Sequence, residues 1–402
     1  MISRRRGTRL GHCLMKARSS AFGALYASGV ARVWASRRYQ TTSYVVLAYH
    51  GISEQAHPLF TSKALFERHL RFFESWGGVA PVDELVQAEI SPKNARLDAQ
   101  NRIAPPLPSH SPAPTGGVGG RRPGEGAIPE EGETRPVCPR LRFVITFDDG
   151  YANVVRNAVP LLRKHALTAT VYVNPGWIEN ATLPWWFQIH GSSERAKRLR
   201  CWLREMGFPP GSFEVNGDDA DWPGDIIASV LTRIPQEQIH SWWRDVESEH
   251  PIVDRNLMAE FRLATWDELA SARDVLSIGS HTYDHCILGL CRDSGFANHQ
   301  IALAKQAIES RLGAACPHFA YPRGESGDYN EQTRQMLASA GHRTAMTCRE
   351  SFALPDGDPL RIPRFYVGET PVAELAAQCL GVVSYWDTAL HRIKSVIKGN
   401  KG

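Results

Sequence analysis

The sequence predicts a parallel α/β fold, and three observations carry this. Short runs at 44–49 (YVVLAY), 142–147 (RFVITF) and 168–173 (TATVYV) are unbroken apolar stretches of strand length, rich in β-branched and aromatic residues. Helical periodicity fills the segments between them, and strand, helix, strand order requires crossover connections and hence parallel pairing. Polar clusters follow several strand ends, which is where parallel α/β proteins gather ligands and catalysis.

Taken in order, YVVLAY is followed at once by His50-Gly51. Residues 62–76 place Leu65, Phe66, His69, Leu70, Phe72 and Phe73 near helical spacing, with Ser62 as N-cap. VAPVDEL at 79–85 reads as a short strand entering a turn. After RFVITF come a helix over 152–164 with Pro160 inside it and the strand TATVYV. LATWDEL at 263–269 restarts the pattern with Thr265 as N-cap, and VLSIGSH at 275–281 is a strand ending in histidine. An amphipathic helix over 296–313 stops at Gly313. HFAYPRG at 318–324 is a strand into a turn, 330–340 is helical, and HRTAMTC at 342–348 and LRIPRFYV at 360–367 are the last strands.

Two segments interrupt this order. Residues 91–140 read as a disordered insertion, because 16 of the 40 residues from 101 to 140 are Pro or Gly and few are large and apolar. Residues 185–262 read as a helical insertion, with helices around 193–206 and 224–247 and with Trp185, Trp186, Trp202, Trp222, Trp242 and Trp243. Those tryptophans suit internal packing, the reading favoured here, or an aromatic wall for sugar rings. The chain divides into a basic N-terminal helix or tail (1–43), barrel or sheet segments at 44–90, 141–184 and 263–380, the two insertions between them, and a basic C-terminal helix or tail (381–402).

Composition narrows the function classes. With 43% hydrophobic and 22% charged residues the chain is globular, and no apolar run is long enough to cross a membrane. The net charge of +4 is uneven: nine Arg and Lys fall in the first 41 residues without one Asp or Glu, so the remainder is slightly acidic. A nucleic-acid enzyme spreads basic charge over its folded domain, and that class is set aside. The basic start reads as a surface-lying amphipathic helix in peripheral contact with anionic lipid; a cleaved signal is the alternative. A cytoplasmic or membrane-peripheral location follows from the first reading, and export from the second. The eight cysteines form no C-x-x-C pair, so neither a disulfide framework nor a zinc ribbon is indicated.

Two clusters carry candidate chemistry. In Thr146-Phe147-Asp148-Asp149-Gly150-Tyr151, adjacent carboxylates at a strand end can enter one pocket with different tasks, although the same letters also suit a plain turn. In His281-Thr282-Tyr283-Asp284-His285, histidines four apart at a helix start can share a face and bind one metal, or form an ordinary His pair. Two His and one Asp leave open coordination positions, as in a catalytic metal site, and the second Asp is then free to act as base.

TFDDGY, SHTYDH, the preceding TWDEL and FAYPRG together resemble the motifs of the polysaccharide deacetylases, the NodB-homology or carbohydrate esterase family 4 group. The resemblance covers about 44–90, 141–185 and 263–367. It implies a distorted (β/α)7 TIM-like barrel carrying the helical insertion, and a divalent metal, usually zinc. It also implies metal ligation by Asp149, His281 and His285, Asp148 as general base, and hydrolysis of N-acetyl groups on an N-acetylated glycan. The Tyr151 backbone N–H is then an oxyanion donor, and Tyr321 and Pro322 shape the rim.

The chain departs from the family pattern in its acid. No late Leu-x-His motif is found, and His391 reads as a surface residue. YHG at 49–51 resembles the early motif of the subgroup acting on poly-N-acetylglucosamine exopolysaccharides, which makes His50 the candidate acid; the alternative is a histidine that only packs there. Arg323, displaced relative to the family's base-orienting Arg, is expected to pair with Asp148 or touch the polymer, or else to be a solvated loop residue. A glycan-binding module without turnover and an O-acetyl esterase are the rival functions.

Overall fold

The computed structural model describes residues 30–89, 137–138, 140–190, 193–209, 233–249, 259–353 and 357–381. Residues 1–29, 91–136 and 382–402, with most of the expected N-terminal lipid contact, the Pro/Gly-rich insertion and the C-terminal segment, lie outside them, as does Trp222.

Seven strands form one sheet in the order β8-β7-β6-β5-β4-β1-β9, all parallel. They are β1 (Ser43–Tyr49), β4 (Leu141–Phe147), β5 (Ala169–Val173), β6 (Leu276–Ser280), β7 (His318–Ala320), β8 (Thr344–Met346) and β9 (Phe365–Tyr366). β2 (Ile52–Ser53) and β3 (Thr61–Ser62) pair separately. The sheet curls until its edges meet. Ile362, just ahead of β9, donates to Ala345 O (2.9 Å) and accepts from Thr347 N (2.8 Å), which joins that segment to β8. The fold is a distorted (β/α)7 barrel.

Seven of the eight runs read as strands contain one. β4 and β5 are buried almost throughout, as strands covered on both sides must be. Helix boundaries follow local chemistry. Thr265 and Glu268 form a reciprocal capping box, and Gly313 ends the helix Ser294–Leu312 in a left-handed conformation at φ 61°. Ser62 precedes the helix Lys63–Trp76 without a side-chain capping bond. The expected strand at 79–85 is a correction: Val79 makes one bridge to Phe143, and Asp83–Glu89 is helical. Pro160 stands in the first turn of the helix Val159–Lys164, where its missing N–H costs nothing, after a π-helical turn at Val154–Ala158.

The helical insertion has its own core, in which Leu199, Leu203, Ile239 and Trp243 are buried and Trp202 stacks on Trp242 at 5.0 Å. Its described helices are Trp185–His190, Ser193–Glu205, where the first helix was expected, and Gln236–Glu249, within the expected second. The described cysteines are free thiols, and Cys286 and Cys291 bring their sulfurs to 3.2 Å. No described helix is long and apolar enough to cross a membrane.

Candidate metal and catalytic centre

The carboxyl ends of β1, β4, β6 and β9 bring His50, Asp148, Asp149, His281 and Tyr366 to one end of the barrel. Asp148 donates its backbone N–H to Tyr49 O at 2.9 Å, which extends the β1–β4 ladder one residue past the strand. The chain then turns through left-handed conformations at Asp149 (φ 68°) and Gly150 (φ 77°). A non-glycine residue there is uncommon and strained. At Gly150 a side chain is also excluded by space, since an added Cβ lies 2.9 Å from Val173 Cγ1. The turn sends the two neighbouring carboxylates to different partners.

Asp149 faces the histidines. Its Oδ1 is 3.7 Å from His281 Nε2 and 3.5 Å from His285 Nε2, and the three ligand atoms lie within 4.8 Å of one another. Ligands at about 2.0–2.2 Å from a tetrahedral zinc stand roughly 3.4 Å apart, so the set fits a divalent ion. Two further observations support the fit. Asp149 Oδ1 is buried without a hydrogen-bond partner, although the carboxylate accepts from the Tyr151 hydroxyl. His281 Nδ1 lies 2.8 Å from Ala320 O, so its N–H donates there and Nε2 keeps the lone pair that a metal needs.

The expected helix across the histidines is a correction. Residues 281–287 are irregular, and Thr282 (φ 63°) and His285 (φ 57°) are left-handed. Convergence comes from that tight turn, held by Asn174, whose amide donates to His281 O and to Thr282 O (3.1 Å), and by Cys286 N donating to Thr282 Oγ1 (2.8 Å). The His285 ring is stacked by Trp177 at 5.5 Å and met edge-on by Trp186 at 4.8 Å.

Asp148 faces the opposite way, toward Arg364. The fork is bidentate, with Nη1 to Oδ1 at 2.7 Å and Nη2 to Oδ2 at 2.8 Å. The remaining N–H groups reach Thr146 Oγ1 (3.0 Å), Thr347 O (3.1 Å) and Cys348 Sγ (3.5 Å), so all five donors of a fully buried guanidinium are used. Burial pushes the Asp148 carboxyl up, but the charge and hydrogen bonds of the Arg364 guanidinium outweigh it and hold the group at about 2. Burial and the Asp148 charge push Asp149 the other way, up to about 7. Burial also lowers His281 and His285, which are neutral at pH 7.

Arg323 therefore does not reach Asp148. It sits at φ 61° in a loop and pairs with Glu325 (3.3 Å) and Asp328 (3.5 Å). Tyr321 is not at the rim either: it is fully buried, stacks on Tyr329 at 4.6 Å and donates to Leu360 O at 3.1 Å; Pro322 beside it is buried too. Tyr151 is buried, with its hydroxyl on Asp149. His50 lies against Tyr366 (ring centroids 5.5 Å), its Nδ1 is buried without a partner, and burial lowers it to about 4 against the opposing Asp148 charge.

Arg364 and Asn174 are the site residues that the sequence reading missed. A signal for Arg364 was present: an arginine inside the apolar run LRIPRFYV must be buried, and a buried guanidinium needs a carboxylate. Asn174 follows an apolar strand directly, which marks little by itself.

A family profile described as "Polysaccharide deacetylase" matches residues 139–206 and 239–345. Solved structures with similar chains include a Streptococcus pyogenes deacetylase, PplD, in complex with acetate (16% identity, 85% of this chain and 99% of that one, TM-score 0.48). They also include IcaB from Ammonifex degensii (17% identity, 85% and 98%, TM-score 0.43) and the BpsB deacetylase domain from Bordetella bronchiseptica (14% identity, 81% and 96%, TM-score 0.42). No curated protein matches the sequence. The segments matched by the polysaccharide deacetylase profile contain both aspartates and both histidines of this centre, so over those segments the chain resembles that family.

Proposed function

We propose that this protein hydrolyses N-acetyl groups on an amino-sugar polymer or glycoconjugate, releasing acetate and leaving a free amine, with zinc as the divalent cofactor. The observation that carries the reading is the buried Asp149–His281–His285 set beside an ionised, arginine-paired Asp148. A divalent cation held by the three ligands supplies Lewis-acid polarisation of the acetamide carbonyl and acidifies water. Asp148, locked by Arg364, takes the proton of the attacking water. The Tyr151 backbone N–H, which has no hydrogen-bond partner among the described residues, is a further donor for the developing oxyanion. His50 is neutral before attack; it relays the proton to the leaving nitrogen, which an amine requires.

Metal dependence is tested by acetate release from N-acetylglucosamine oligomers after chelation and again after zinc is restored. Restored activity supports the reading; unchanged activity after complete metal removal sinks it. Zinc affinity has a defined pH dependence. Without metal, Asp149 holds a proton below about pH 7, and zinc must displace it. The Asp149 proton alone is expected to make apparent affinity rise roughly tenfold per unit up to about pH 7 and then flatten. A flat profile between pH 5 and pH 7, as read by calorimetry, contradicts the assignment of Asp149 as ligand.

One observation favours the O-acetyl ester reading: a histidine lowered to about 4 is a poor proton reservoir at neutrality, and an alkoxide leaving group needs an acid less than an amine does. His50→Ala separates the two. Amide turnover is expected to fall by about 10²–10⁴ and ester turnover by much less. Equal retention of both activities removes His50 from the mechanism.

A further inference from the structure

Behind the turn that carries His281 and His285 lies a cavity of about 410 Å³, walled by the helical insertion on one side and the helix Ser294–Leu312 on the other. Its size suits a monosaccharide-scale ligand. Trp177, Trp185 and Trp243 contribute the aromatic walls. Trp177 also stacks on the ligand histidine His285, so the cavity and the metal centre share one tryptophan. The cavity opens to solvent past Arg244, His299 and Asn180, which are exposed.

Its polar groups are fixed in place. Asp284, between the two ligand histidines in sequence, faces away from them. It donates its N–H to Gln300 Oε1 (2.9 Å) and accepts from Gln300 Nε2 (3.2 Å) through Oδ2. His240 Nδ1 stands 3.9 Å from that same Oδ2. Glu247 is held by Thr182 Oγ1 at 2.6 Å. The lining thus carries two carboxylates against the single guanidinium of Arg244, with a His240 that burial lowers to about 4 and leaves uncharged at neutral pH. Indole faces add negative potential to the carboxylates, and both attract a cation. An apolar wall with a negative polar floor selects a ring with an apolar face and a positive substituent.

We propose that this cavity binds a sugar bearing a free primary amine, the deacetylated residue that the metal centre produces. Identification of the amine as an amino sugar rests on the function proposed above; the cavity and its charge do not. Product held beside the centre would keep a partly deacetylated polymer on the enzyme while the next residue reacts.

The test is calorimetric titration of the full-length, chelator-treated protein with D-glucosamine and with N-acetylglucosamine. Saturable binding of glucosamine, about tenfold or more tighter than N-acetylglucosamine, is expected. Asp284→Asn and Glu247→Gln should each weaken it roughly tenfold, and Leu303→Trp, which fills the cavity from the helix side, should abolish it. Thermal unfolding of each variant shows that it is folded, and unchanged zinc affinity of Glu247→Gln shows that the centre is intact. Absence of saturable binding by the wild-type protein, equal affinity for the two sugars, or binding that survives all three substitutions overturns the proposal. No turnover is read, so those results leave the deacetylase reading standing. A protein that binds glucosamine as described and releases no acetate would fail only the function.

Discussion

Replacing Arg364 by methionine is expected to destabilise the protein by about 3–5 kcal/mol, because it leaves the Asp148 carboxylate buried without its partner. Arg364 is fully buried, uses all five donors and carries no solvent-exposed atoms that could be replaced by water. Its loss has a second consequence. Burial, the largest influence on the Asp148 carboxyl, is then no longer outweighed by the guanidinium, so the group rises from about 2 and the proposed base becomes partly protonated in the acidic range. Misplacement of the base by a fraction of an ångström adds to this, and turnover is expected to fall roughly a hundredfold even where the variant is folded. Urea unfolding of Arg364→Met beside the double variant Asp148→Asn/Arg364→Met checks the cause. The double variant has no unpaired buried charge and should recover much of the lost stability. A double variant as unstable as the single one would place the cost in lost packing against Tyr172, which Arg364 approaches at 5.7 Å, and not in the charge.

Asp148→Asn is expected to lower turnover by about 10²–10⁴ with little change in zinc affinity, because the three proposed ligand atoms belong to other residues. The shape of the side chain is preserved and one oxygen still accepts from Arg364, so the variant should remain folded at a reduced stability. Asp149→Asn is the control. It removes a ligand and should lose zinc binding together with activity. Calorimetric zinc titration with acetate release separates the two positions. If both variants lose zinc equally, Asp148 is part of the ligand set and the division of labour between the neighbouring carboxylates is wrong.

That division is legible only in part from the letters Asp-Asp-Gly. A strand end followed by Gly150 places two carboxylates near one pocket, but which of them meets the histidines depends on the left-handed turn at Asp149. The His281–His285 spacing likewise brings two imidazoles together by either of two backbones. A helix places them one turn apart on one face; the observed turn, with Thr282 and His285 left-handed, reaches the same convergence through Asn174 and the Thr282 hydroxyl. Short spacing specifies proximity, and hydrogen bonds from elsewhere select the conformation.

The sequence alone determined the alternating order of apolar strands and helices, the Thr265 and Gly313 helix boundaries, and the four residues at the centre. Each is encoded within a window of a few residues, where burial pattern, capping chemistry and motif spacing act locally. The tertiary structure decided the rest. Asp148 pairs with Arg364, 216 residues away, and not with Arg323, whose loop has two carboxylates closer at hand. Tyr321 faces the core and not the rim, and the insertion delivers Trp186 to the His285 ring. The physical reason is closure of the barrel: once the segment ahead of β9 hydrogen-bonds to β8, a guanidinium buried in that segment has one ionised carboxylate within reach, and only the curled sheet determines which one.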